Sequence, residues 1–178
     1  MVRNRKRRLN LKLRTDDKLD YAEIHLEEIV SRPQVGIADQ FERAHEESVL
    51  FHVVGAKDAF LQETSAAYGL GLRKNQIKEK TLEQRLKSKG LRCSALTRLQ
   101  KFQSRKNSWL ADAIELRNQG MHRASISRMF DEGGPQRGRV FFRSPRKRTY
   151  LDKPIPEFLA DCISRIRRLL SRYRTMLP

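Results

Sequence analysis

Val49-Leu50-Phe51-His52-Val53-Val54-Gly55-Ala56-Lys57-Asp58-Ala59-Phe60-Leu61 decides the fold class of this 178-residue chain. Val49, Val53, Ala56 and Phe60 recur at helical spacing, with Leu50, Val54 and Leu61 beside them. That apolar face is too wide for a surface helix and suits the centre of a bundle. Ile37, Phe41 and Ala44 extend the same pattern upstream, so the sequence predicts one long helix over roughly 35–68. Gly55 interrupts it at a cost of about 1 kcal/mol relative to Ala, which points to a close approach by a neighbouring helix.

Working outward, Leu19, Ala22, Ile24, Leu26, Ile29 and Val30 mark an earlier helix that starts at Thr15 or Asp16 and ends before Pro33. A polar helix is expected over about 76–89, with Ile77, Leu82 and Leu86 inward and Gly90 as its stop. Helical sequence then runs from Ser94 to the 117–122 region, with a break near Gln103–Asn107. Asp131-Glu132-Gly133-Gly134-Pro135 reads as a loop. Val140-Phe141-Phe142 and Thr149-Tyr150-Leu151 read as the two strands of a small hairpin with a basic tip. Pro154 and Pro156 introduce a last helix over about 156–175. The expectation is an all-α antiparallel bundle of about five helices, with a β-hairpin excursion at 137–151. It forms a single domain over 15–178, preceded by a flexible basic arm at 1–14.

The formal net charge is +17, and it is clustered. Residues 1–14 carry Arg3, Arg5, Lys6, Arg7, Arg8, Lys12 and Arg14 without an acid. Residues 137–148 carry Arg137, Arg139, Arg143, Arg146, Lys147 and Arg148, again without an acid. The tail from Arg165 adds Arg167, Arg168, Arg172 and Arg174. The remainder is close to neutral. Clustered arginine implies a polyanionic partner, nucleic acid before an acidic membrane surface. The candidate nucleic-acid contacts are Arg3, Arg5, Lys6, Arg7, Arg8, Arg139, Arg143, Arg146, Lys147 and Arg148.

Cys93 and Cys162 lack both disulfide density and zinc spacing, so a reducing cytoplasm is expected. No apolar run has signal-peptide or membrane-span character. His45 and His52 share a helix face two turns apart and read as a polar stripe rather than a metal pair. His25 reads as part of a solvated face, Lys57-Asp58 as a structural pair or a groove lining, and Trp109 as a core anchor. Phe141-Phe142 reads as closing one end of the bundle rather than stacking on bases. Ser125 and Ser127 lack a recognisable base–acid partner, and Gly133-Gly134 is a turn rather than a phosphate loop. No metal or cofactor is expected.

One short stretch carries chemistry: Arg117-Asn118-Gln119-Gly120-Met121-His122. Metal-free RNA cleavage needs a base for the ribose 2′-OH and a cation for the transition-state phosphate. Histidine titrates in the right range and arginine grips phosphate oxygens, with Asn118 able to orient either group. On a regular helix Arg117 and His122 stand about 140° apart. They share one groove only by flanking it, by a loosening of the helix at Gly120, or with a second subunit.

The stretch Glu115-Leu116-Arg117-Asn118-Gln119-Gly120-Met121-His122 resembles the signature of the HEPN superfamily, an Arg followed four to six residues later by a His. HEPN proteins are α-helical bundles with the motif late in the chain and a further helix after it, a layout similar to residues 16–176 here. The resemblance implies catalytic roles for Arg117 and His122 with Asn118 in support. It also implies a metal-independent endoribonuclease, a homodimer whose two motifs line one cleft, RNA as substrate and an antitoxin-type protein as a further partner. Other members bind partners or nucleic acid without cleaving, and the 137–151 hairpin and the basic arm lie outside the minimal bundle.

Overall fold

The fold is described from a computed structural model, over residues 2–32, 40–122, 126–133, 137–147 and 149–178, with backbone alone for residues 2–9 and for His122. Helix α1 spans Val2–Val30, α2 Gln40–Ala67, α3 Glu79–Ser88, α4 Ser94–Gln103, α5 Trp109–His122 and α6 Ile155–Arg174. A 3-10 turn, Lys74–Gln76, leads into α3. Strands β1, Arg128–Phe130, and β2, Val140–Phe142, lie between α5 and α6.

The mostly helical architecture with a two-stranded antiparallel excursion before the last helix follows from the hydrophobic periodicity. On α1, Thr15, Leu19, Ala22 and Ile29 are buried at helical spacing. They lie against α2, whose buried residues from Val49 onward face nearly every direction. Gly55 admits the stem of Lys18, since a Cβ there would come to 3.4 Å from Lys18 Cδ. Helix α6 buries Ile155, Phe158, Leu159, Cys162, Ile163, Ile166, Leu170 and Tyr173 as one stripe. It packs on α1 and α2 and completes the core. Trp109 packs at the edge of that core beside Phe102. Phe142 is fully buried and meets Phe158 edge-on, which makes the 141–142 pair a closure of the bundle's end.

Helix α3 ends at Gly90, as expected. Its φ of +65° and the bonds Gly90 N–H to Lys87 O and Leu91 N–H to Leu86 O close the helix in a left-handed turn. The break between α4 and α5 also falls where expected. Ser108 caps α5 through its Oγ, which accepts from the Ala111 N–H at 3.3 Å.

Two expectations need correction. The helix placed at Thr15 begins at Val2, so residues 2–14 are helical backbone. Arg, Lys and Leu dominate that segment and are good helix formers, so it continues the helix that the buried stripe from Thr15 onward anchors. The helices number six among the described residues, in keeping with the expected bundle of about five and its break between α4 and α5. Finally, β2 takes β1 as its partner, with Arg128 opposite Phe142 and Phe130 opposite Val140. The expected partner, 149–151, still runs antiparallel beside the end of β2, through the bridge Arg143–Tyr150 and the bonds Ser144 N–H to Thr149 O and Leu151 N–H to Phe142 O, without forming a strand of its own. Tertiary contacts account for the exchange. Arg128 donates to Glu46 of α2 and pins β1 alongside β2, while Ser144 Oγ donates to Asp112 Oδ1 of α5 at 2.8 Å and anchors the turn that follows β2.

Candidate nucleic-acid interface

Between α1, α2, the 3-10 turn, α3 and α5 lies a groove of about 660 Å³. Arg14 and Lys18 enter it from α1, Lys57 from α2, Lys74 from the turn, Lys78 and Lys80 from the start of α3, and Arg117 from α5. Asp58 and Glu79 are the two acids among the residues that line it. The helix spacing explains the assembly. Arg14 and Lys18 are one turn apart on α1, while Phe51, Gly55, Asp58 and Gln62 form one stripe of α2.

The cations are unevenly compensated. Lys57 is buried and donates to Glu79 Oε1 at 2.9 Å. Asp58 stands 3.8 Å from Lys57 Nζ and 3.9 Å from Arg117 Nη2, ion-pair distances too long for hydrogen bonds. Arg117 Nε is buried without a hydrogen-bond partner. Burial lowers the pKa of Lys18, and Arg14 and Lys74 lower it further, so the groove carries more positive charge than its own acids neutralise.

The residues singled out in the sequence separate here. Arg117 reaches the groove, half-buried, and Asn118 is half-buried on α5. His122 is the last residue of α5 and its side chain lies outside the described atoms. Helix α5 runs without interruption through Gly120, so no helical distortion turns position 122 toward position 117. Gly120 instead makes room for a neighbour, since a Cβ there would come to 3.3 Å from Glu47 Cδ of α2.

Arg3, Arg5, Lys6, Arg7 and Arg8 lie on the first turns of α1, with side chains outside the described atoms, and Arg148 lies outside the described residues. Arg139 pairs with Glu157 at 2.5 Å and Lys147 stands 3.7 Å from Asp112. Arg143 sits in the isolated bridge to Tyr150. Arg146 is exposed and borders a shallow pocket that shares Glu79 and Gln103 with the groove. Three arginines of the C-terminal basic run are engaged in ion pairs within the molecule. Arg174 pairs with Glu63 and Asp16, Arg167 with Asp20 and Glu23, and Arg165 with Asp161.

Sequence reasoning missed Lys18, Lys74, Lys78 and Lys80 as site residues. Lys18 comes from α1 and the other three from the 3-10 turn and the start of α3, so only the tertiary fold brings them to one place. It also misread His25. That ring is half-buried, with its Nδ1 at 3.0 Å from His45 Nδ1 and its plane stacked on His52 at a centroid distance of 5.5 Å. Among the described residues, no group of three or more His, Cys, Asp or Glu side chains is placed to hold one metal ion.

Residues 9–177 match a family described as a family of unknown function, DUF6586. The chain belongs to the DUF6586 family. The matched span contains every groove residue named above and begins just after Arg8. No curated protein and no solved structure matches the chain. Among the described residues, no helix of this DUF6586 member is long and apolar enough to cross a membrane.

Proposed function

We propose that this protein binds RNA, with the phosphate backbone held in the groove between α1, α2, α3 and α5. The observation that carries the reading is the gathering of seven basic side chains, from helices far apart in sequence, around one concavity that holds two acids. A solvated charged face would spread such groups over a convex surface. Clustering them costs repulsion that a polyanion relieves, and released counterions add to the binding. The free, buried thiols of Cys93 and Cys162 suit the reducing cytoplasm in which such a protein would meet RNA.

A short unstructured oligoribonucleotide followed by fluorescence anisotropy tests this. Lys74→Glu combined with Lys78→Glu reverses charge at two exposed groove positions and should abolish binding at moderate salt. Retention of wild-type affinity in that variant would remove the groove from the interface.

A second reading is cleavage, supported by the HEPN-like stretch and by Arg117, whose guanidinium lines the groove with one nitrogen unpartnered. His122 would have to act from a second copy of the chain, because α5 is regular between the two positions. Incubation of RNA with the protein and EDTA should then yield 2′,3′-cyclic phosphate ends. Mixing Arg117→Ala with His122→Ala subunits should restore part of the activity that each variant lacks. Intact RNA in the wild-type reaction would eliminate cleavage and leave binding.

A further inference from the structure

The groove does not end at Lys18. Arg14, Lys18, Tyr21 and His25 follow one another along a single stripe of α1, at spacings of four, three and four residues. Phe41, His45 and His52 share a stripe of α2 facing it, and Phe51 borders both that stripe and the groove. These rings touch in series. Phe51 and His52 have centroids 5.4 Å apart, His52 and His25 5.5 Å, His25 and His45 5.0 Å, and His45 and Phe41 4.2 Å, with Tyr21 on His52 at 5.4 Å. Each end carries a cation, Lys18 Nζ at 5.1 Å from the Phe51 centroid and Arg32 Cζ at 3.5 Å from the Phe41 centroid.

We propose that this ring row is a base-stacking track, which takes single-stranded RNA as it leaves the cationic groove. The inference rests on the RNA-binding reading and adds the class of substrate.

Exposure argues for it first. Tyr21 is 50% exposed, Phe51 42% and Phe41 38%. Rings recruited only for packing would sit inside, where burial stabilises them. Chemistry is the second reason. Burial and the neighbouring Lys18 and His25 hold His52 in its neutral form down to about pH 4, and burial and His45 lower His25 as well. At neutral pH His52 and His25 therefore enter the row as uncharged rings. A cationic groove continued by aromatic faces is the arrangement that holds single strands without reading their sequence. A duplex keeps its bases stacked on each other and leaves such rings unused. From Phe41 to Phe51 the track runs about 15 Å along α2, room for more than one base.

The test compares a single-stranded oligoribonucleotide, its duplex and poly-glutamate on the full chain, each across a salt series. Wild type should prefer the single strand. Tyr21→Leu and Phe51→Leu, chosen because leucine keeps helical propensity and apolar bulk, should each weaken single-strand binding roughly tenfold. The salt slope should not change, because no phosphate contact is lost, and duplex binding should not change either. The proposal falls if both leucine variants bind the single strand like wild type, even with groove charge reversal still abolishing binding. That outcome leaves the RNA reading standing. It also falls if poly-glutamate binds as tightly as RNA and the leucine variants are indifferent to both, which marks an acidic protein as the partner. No binding of either RNA by wild type at low salt overturns the RNA reading itself, and the track with it.

Discussion

His25 Nδ1 and His45 Nδ1 face each other at 3.0 Å across the α1–α2 hairpin. One nitrogen must donate and the other accept, so the pair is satisfied only while at least one imidazole is neutral. His52 stacks on the same pair, and its pKa is pushed down to about 4, by burial first and then by Lys18 and His25. The unfolded chain takes up a proton near the ordinary histidine value of about 6.5, while the folded chain resists until about 4. Stability is therefore fully present above about pH 6.5 and is lost as the pH falls toward 4. Thermal melts by circular dichroism should show a lower midpoint at pH 5 than at pH 7. His52→Gln should shrink that difference, and an unchanged difference would refute the assignment.

Arg174 gives a prediction about stability alone. Its guanidinium joins Glu63 at 2.9 Å and Asp16 at 2.9 Å, while Thr15 Oγ1 donates to Oε1 of the buried Glu63, the oxygen that Arg174 Nη2 also reaches. The network ties the C-terminal end of α6 to α1 and α2. Removing one member leaves a buried charge unpaired, so Arg174→Ala should cost about 3 kcal/mol in urea denaturation. Replacing both partners by apolar groups removes the orphan, and Arg174→Met with Glu63→Leu should recover most of that loss.

Gly120 tests whether the 117–122 stretch needs a distorted helix. The helix is regular there, and the nearest obstacle to a Cβ is the flexible end of Glu47 at 3.3 Å. Gly120→Ala should raise stability by about 0.5 kcal/mol, because the helix-propensity gain of up to about 1 kcal/mol exceeds the cost of moving Glu47. RNA binding should be unaffected. Destabilisation by more than about 1 kcal/mol, read from denaturant midpoints, would show that Glu47 cannot yield.

The bundle was legible because its signals are local. The apolar stripe from Val49 to Leu61 and that from Phe158 to Tyr173 each announce a helix without reference to anything else. The site was legible only in part, because its residues converge through tertiary structure. Arg117 stood out beside His122, yet the groove it enters depends on Lys18 and Lys74 arriving from other elements. Part of the charge in the basic segments is offset within the molecule. A run of arginines in sequence says nothing about internal acids, and Arg174, Arg167 and Arg139 spend their charge on Glu63, Asp20 and Glu157. The pairing of β1 with β2 was hidden for the same reason, since the Arg128–Glu46 contact spans 82 residues.

The salt dependence of RNA binding separates the groove from the basic segment at 137–148. Each phosphate contact to a single strand contributes about 0.7 to the slope of log affinity against log salt. Lys74 and Lys78 face the groove, so Lys74→Gln with Lys78→Gln should lower the magnitude of that slope by about 1.4. Arg139 is engaged with Glu157, and Arg139→Gln should change the slope by less than about 0.3, because an exposed ion pair already screens that charge. Anisotropy titrations over a salt series measure both slopes. A large loss in Arg139→Gln with none in the lysine pair would move the interface from the groove to the β2 side of the molecule.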